Sequence, residues 1–193
     1  KLFRAGDGAP TVGPDMAPFA RVVAWDPERM DGVRVDRLTE YPAEDVFLET
    51  ALARDADGAY EAPLYAGGER CIGLQWLEAR KLHRAAIAFE GPAPDAATAR
   101  LEAWVRKDPM ALDGYSPWQG KWIPAEGVIR VADGAWEMDI TGAENRQIAE
   151  GTYKIRWVFG GGEEPVRVRR LTANTTSRWA EAELFVDAPA GTR

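Results

Sequence analysis

The side chain with the most chemical scope in this sequence is tryptophan. Eight occur in 193 residues, more than a core of this size requires. An indole can stack on the apolar face of a sugar ring while its N–H stays free for a hydroxyl. Trp118 stands apart from the rest. It sits in Leu112-Asp-Gly-Tyr-Ser-Pro-Trp-Gln-Gly120, a stretch with Gly and Pro and no strand period, and loops between strands are where such folds carry binding residues. Tyr115 would widen the platform, with Asp113 and Gln119 as hydroxyl partners. Arg178, beside Trp179 and just after Asn174-Thr-Thr176, is a second candidate. The alternative for residues 107–120 is that they pack on a neighbouring domain or fold over an edge of their own sheet. Trp76, Trp122, Trp136 and Trp157 fall inside strand patterns and are expected in the core. Trp104, opposite Leu101 and Ala103, is expected on the outer surface or under an adjoining element.

Residues for catalysis are sparse. No Gly-x-Ser-x-Gly elbow, dinucleotide fingerprint or phosphate-binding loop occurs. Gly160–Gly162 follows a strand but leads into Glu163-Glu164-Pro165, which would repel phosphate, and it reads as a turn. The single histidine, His83, shares a strand face with Ala85, Ile87 and Phe89 and is expected at the core or its rim. One histidine cannot build the multi-histidine zinc sites of hydrolases. The single cysteine, Cys71, opens an apolar run and reads as a small core residue; alone, it allows no internal disulfide. Asp55 and Asp57 precede Gly58. Two oxygen ligands beside a glycine turn could begin a calcium site, but the full calcium loop with its closing Glu is absent, and a hydrogen-bonded turn is the simpler reading. The chain is therefore expected not to be an enzyme by itself and to need no cofactor.

Composition narrows the partners. There are 24 basic against 31 acidic residues, a net charge of −7. Nucleic acid and anionic membranes attract Lys/Arg-rich faces and are not expected partners. No stretch approaches the roughly 18 apolar residues of a membrane span. Lys1 is not an initiator Met, so the chain is expected to be a piece of something longer. Its Ala-, Arg-, Gly- and Asp-rich composition suggests a bacterial source.

Positioning these residues falls to strands. Residues 1–20 hold Gly6, Gly8, Pro10, Gly13, Pro14 and Pro18 without apolar period, and read as a linker or docking arm; residues 21–193 read as one domain. Short β-type runs follow at 21–25, 46–53, 71–77, 82–89, 100–106, 121–123, 128–131, 136–140, 152–159, 166–171 and 179–186. They are divided by turn residues such as Asp133-Gly134, a strong hairpin signal. In 152–159, Tyr153, Ile155, Trp157 and Phe159 alternate with Thr152, Lys154, Arg156 and Val158. Many short strands with almost no helix predict an all-β sandwich or barrel.

The run Gly73-Leu-Gln-Trp76-Leu-Glu-Ala-Arg80 and the alternating strand to Phe89, then Arg100-Leu-Glu-Ala-Trp-Val105, Trp122, and the closing strands 151–159 and 168–186, resemble discoidin-type, galactose-binding-like jelly-roll domains. The resemblance spans about residues 46–188. The sequence departs from that family in the long insert 107–120 and in lacking a terminal cysteine pair. Ser116-Pro-Trp-Gln-Gly-Lys-Trp-Ile-Pro124 is similar to accessory modules of bacterial polysaccharide-degrading enzymes. The resemblance implies a two-sheet antiparallel jelly roll in an extracellular or periplasmic protein. It implies a glycan or a neighbouring domain of the parent chain as partner, and a structural calcium near Asp55.

Overall fold

The computed structural model of the chain describes residues 11–28, 49–106 and 120–177. Twelve strands fall within them: β1 (Thr11–Asp15), β2 (Arg21–Ala24), β3 (Thr50–Ala51), β4 (Tyr60–Ala62), β5 (Glu69–Arg80), β6 (Leu82–Glu90), β7 (Arg100–Arg106), β8 (Gly120–Pro124), β9 (Arg130–Ala132), β10 (Ala135–Asp139), β11 (Thr152–Gly160) and β12 (Val166–Ser177). One helical turn, α1 (Arg146–Ala149), precedes β11. The strands form two antiparallel sheets. One runs β1-β12-β6-β10-β9, with β4 also paired to β12; the other runs β3-β2-β5-β11-β7-β8. The fold is an all-β sandwich, as the strand pattern predicts.

Sequence and structure agree best where alternation is regular. The strand expected at 100–106 forms with those limits. The β9–β10 hairpin turns on Asp133 and Gly134, with φ of 50° and 72°, the two positive values that a tight type I′ turn needs. Elsewhere the boundaries move. The runs expected at 71–77 and 82–89 leave four residues between them, yet β5 continues to Arg80 and β6 begins at Leu82, so Lys81 alone joins these two strands, which belong to different sheets. Of the strand expected at 46–53, Thr50–Ala51 forms, and residues 46–48 lie outside the described residues. Residues 11–19, read as part of an arm, are built into the sandwich. β1 pairs with β12 from Thr11–Ser177 to Asp15–Asn174, with a register shift between Val12 and Asp15. A proline is tolerated in a strand at a sheet edge or bulge, and Gly13-Pro14 sits at such a place, which is why no alternation betrays it.

The inter-sheet core is aromatic at its centre. Phe89 and Trp136 meet edge-to-face at 4.6 Å, Trp136 and Phe159 at 5.4 Å, and Trp136 lies 6.0 Å from Trp157. Ile72, Leu74, Trp76, Ile87, Leu101 and Ile155 fill the space around them. Trp76 donates its indole N–H to the Met16 carbonyl at 2.9 Å, which pins the chain between β1 and β2 to this core. At the opposite edge, buried Arg70 donates to the carbonyls of Ala62, Gly162 and Glu164, tying β4 and the β11–β12 turn to β5.

Candidate functional site

Alternation along β11 sends Ile155, Trp157 and Phe159 into the inter-sheet core and Lys154, Arg156 and Val158 to the other face of their sheet. That outer face is buried too: Lys154 and Arg156 are each 1% exposed. Neighbouring strands supply Glu102 and Trp104 from β7, Trp122 from β8 and Cys71 from β5. Trp25, just after β2, completes a second apolar cluster with Trp104, Trp122, Cys71 and Val158. Trp104 and Trp122 are directly paired across β7 and β8 and meet edge-to-face at 5.4 Å, with Trp25 about equally far from both, at 6.0 and 6.2 Å.

Two cations are threaded through this layer. Arg156 lays its guanidinium over the Trp122 ring at 4.2 Å. Its Nε donates to Glu102 at 2.5 Å, and its terminal nitrogens reach the Asp26 and Pro27 carbonyls at 3.3 and 3.4 Å. Glu102 is shared with Arg100, whose Nε donates to it at 2.6 Å while its terminal nitrogens grip Glu69. Lys154 lies 4.7 Å from the Trp25 ring centre and 4.8 Å from that of Trp104, and pairs with Glu49. Loss of water lowers the Lys154 pKa, and the Glu49 carboxylate opposes the shift. Burial pushes the Cys71 thiol and the half-buried Tyr65 hydroxyl up to about 12. The indole N–H of Trp122 is buried, with no hydrogen-bond partner among the described residues.

The tryptophan expectations divide accordingly. Trp76, Trp136 and Trp157 are in the inter-sheet core. Trp122 is buried but belongs to the outer layer, and Trp104 takes the second of its two readings, covered rather than exposed. The charged layer itself was not anticipated. Its trace in the sequence is the spacing Lys154-x-Arg156 on one strand and Glu102-x-Trp104 on the next, which reads as a polar outer face until the partner strands are known.

The proposed platform residues Trp118, Tyr115, Asp113 and Gln119, and also Arg178, lie outside the described residues. The structure does fix where their segment begins and ends. β7 and β8 are paired neighbours up to Arg106–Gly120, so residues 107–119 leave and re-enter at adjacent points on one end of the sheet.

Asp55 and Asp57 occupy a turn beside β12. Asp55 Oδ1 accepts from the amides of Asp57 and Ala59, both at 3.0 Å. Its Oδ2 accepts from Arg167 Nη2 at 2.6 Å, and Asp57 Oδ2 accepts from the same nitrogen at 2.9 Å. The Ala59 amide is the first cause of the lowered Asp55 pKa, with Arg167 adding to it. Calcium requires six to eight oxygens. Here a guanidinium stands between the two carboxylates, and among the described residues no group of three acidic, His or Cys side chains converges. This donor set does not fit calcium; it fits the hydrogen-bonded turn. Cys71 is buried on one sheet and His83 half-buried on the other, so they form no nucleophile–base pair.

No family model matches the chain, and no curated protein matches it. Solved structures similar to it include the beta-galactosidase BgaA of Streptococcus pneumoniae, 12% identical over 83% of this chain and 98% of that one, with a TM-score of 0.45. CpGH89CBM32-6 produced by Clostridium perfringens is 11% identical over 83% and 96%, with a TM-score of 0.40. The CBM32-1 and CBM32-2 domains of Clostridium perfringens ZmpB in complex with GalNAc are 9% identical over 85% of this chain and 34% of that one, with a TM-score of 0.44. Among the described residues no helix is long and apolar enough to cross a membrane.

Proposed function

We propose that this chain is a non-catalytic accessory module of a larger secreted bacterial enzyme, one that binds a glycan weakly through aromatic side chains in residues 107–119. The observation that carries the reading is the Arg106–Gly120 pairing of β7 and β8. Adjacent antiparallel strands need only two to five residues to join them. The connection here is far longer, and the surplus holds Asp113, Tyr115, Ser116-Pro117, Trp118 and Gln119. Connections longer than a fold requires are where binding function concentrates. An indole and a phenol would stack on a sugar ring, each contact adding on the order of 1 kcal/mol beyond burial, while Asp113 and Gln119 would select among hydroxyl geometries.

The test is tryptophan fluorescence during titration with a panel of soluble polysaccharides, comparing the chain with Trp118→Ala. A saturable shift that is lost in the variant is the expected result. Absence of any saturable shift from a folded sample would overturn the glycan reading.

A second reading, a domain that braces a catalytic neighbour, is favoured by a different observation. Phe19 and Leu77 are 72% and 96% exposed, and they lie two residues beyond the Arg21–Gln75 pair on adjoining segments.

A further inference from the structure

We infer that Phe19 and Leu77 are a docking surface for a neighbouring domain of the parent polypeptide, which receives them in an apolar pocket edged with carboxylates; this rests on the bracing reading. Leu77 is exposed by a break in an interior strand. β5 lies between β2 and β11, yet its register with β11 jumps from Gln75–Lys154 to Arg80–Thr152. Trp76, Leu77, Glu78 and Ala79 therefore stand opposite the one residue Tyr153. Bulges of this kind are built features of a fold that re-aim side chains. Here the bulge keeps Trp76 in the core and turns Leu77, Glu78 and Ala79 to solvent. Phe19 is held out by a separate device. It ends the helical turn Ala17–Phe19, which is stiffened by Pro18, capped by the Asp15 carboxylate on the Ala17 amide at 2.9 Å, and closed by the Ala20 amide on the Ala17 carbonyl. Both segments are tied to one atom: the Met16 carbonyl accepts from the Phe19 amide at 3.1 Å and from the Trp76 indole at 2.9 Å. Neither Phe19 nor Leu77 belongs to either apolar cluster of the fold, so two rigid supports present side chains that the fold itself does not use.

Area and charge define the occupant. The two side chains expose on the order of 300 Å², whereas a stable interface takes about 800 Å² from each partner. A patch of this size does not hold a free protein or a second copy of the chain. A domain on the same polypeptide needs less, because a linker supplies an effective concentration near the millimolar range, and side chains already held in place lose little freedom on docking. The cations beside the pair set the chemistry of the pocket edge. Arg21, paired with Gln75 two residues from both Phe19 and Leu77, is exposed, as is Lys81 just beyond β5. Arg84, Arg100, Arg130, Arg156 and Arg167 all sit in ion pairs, and Glu78 is matched by Arg80 at 3.4 Å. Among the described residues Arg21 and Lys81 have no carboxylate partner, in a chain whose net charge is −7. A pocket edged with carboxylates meets both cations while its floor covers the phenyl ring and the leucine.

The experiment measures amide hydrogen exchange at residues 17–21 and 76–80 in the full-length parent polypeptide and in this chain alone, with β6 and β12 reporting that the fold is intact. Docking should slow exchange at both segments about tenfold in the parent and leave β6 and β12 unchanged. Phe19→Ser with Leu77→Ser should return the parent to the rates of the isolated chain. Arg21→Glu with Lys81→Glu, which leaves the apolar pair intact, should remove most of the same protection. Equal rates at 17–21 and 76–80 in the two proteins, or protection that survives the serine changes, would overturn the inference. Protection untouched by the charge reversal would overturn the carboxylate edge of the pocket. A concentration-dependent dimer of the isolated chain in sedimentation equilibrium, dissolved by the serine changes, would make a second copy the occupant and overturn it as well. Protection of other surface segments in the parent, with none at these two, overturns this surface and leaves the bracing reading standing. If no segment of the chain is protected in the parent, the bracing reading falls with it.

Discussion

Cys71 and Lys154 lie on paired strands, β5 and β11, in the same buried layer, and burial acts on them with opposite sign. For the thiol, burial favours the neutral form and pushes the folded pKa from 9.0 to about 12, with the nearby Arg156 working against it. The folded state then holds a proton that the unfolded chain releases above pH 9. Stability is full below pH 9 and falls as pH rises toward 12, by about 4 kcal/mol over three units. Tyr65 falls in the same direction between 10 and about 12. For Lys154 the folded pKa is below 10.5, so the unfolded chain holds the extra proton, and stability rises between the folded value and 10.5. The expected outcome is a net loss of stability above pH 9, read as denaturant midpoints from pH 7 to 11. Cys71→Ala should flatten that loss, and Lys154→Met should steepen it. A Cys71→Ala variant with the wild-type alkaline slope would show that the thiol does not drive it.

The strands show what kind of pattern is legible. β7 and β11 could be read directly, because large apolar side chains recur at every second position. β1 could not, because Gly13-Pro14 breaks the alternation at a bulge, and its pairing with β12 is set by residues more than 150 positions away. The second burial on β11 was hidden for another reason. A Lys and an Arg at alternating positions normally mark a solvated face, and only the pairing of β11 with β7 and β5 brings Glu102 and the indoles to them. Gly73 shows how close that pairing is. A Cβ there would collide with the Ile155 carbonyl and lie 2.9 Å from the Arg156 Cα, so β5 and β11 approach within a distance that only glycine permits. Gly73→Ala is expected to cost about 3 kcal/mol, measured as a lowered urea midpoint with an unchanged slope. A loss below about 0.5 kcal/mol would mean that the strands can separate without penalty.

For the molecule as a whole, the sandwich uses its two sheets differently. The sheet ending in β8 buries both faces along its central strand β11. The one built on β12 and β6 presents charged pairs to solvent: Arg84 and Arg130 with Glu137 and Asp139, and Arg167 with Asp55, Asp57 and Glu90. Such exposed pairs contribute little to stability and serve solubility, in keeping with the net charge of −7. Against this background an almost fully exposed leucine and an exposed phenylalanine, Leu77 and Phe19, are out of character. Neither side chain helps hold the fold, so Phe19→Ser with Leu77→Ser should change stability by less than about 0.5 kcal/mol. The same double change should reduce binding of an apolar dye to the folded chain, since exposed apolar patches are what such dyes detect. If stability instead falls by several kcal/mol, the pair is packed in solution and belongs to the fold. If stability holds and dye binding drops, the pair is a free contact surface, and the bracing reading gains the site that it requires.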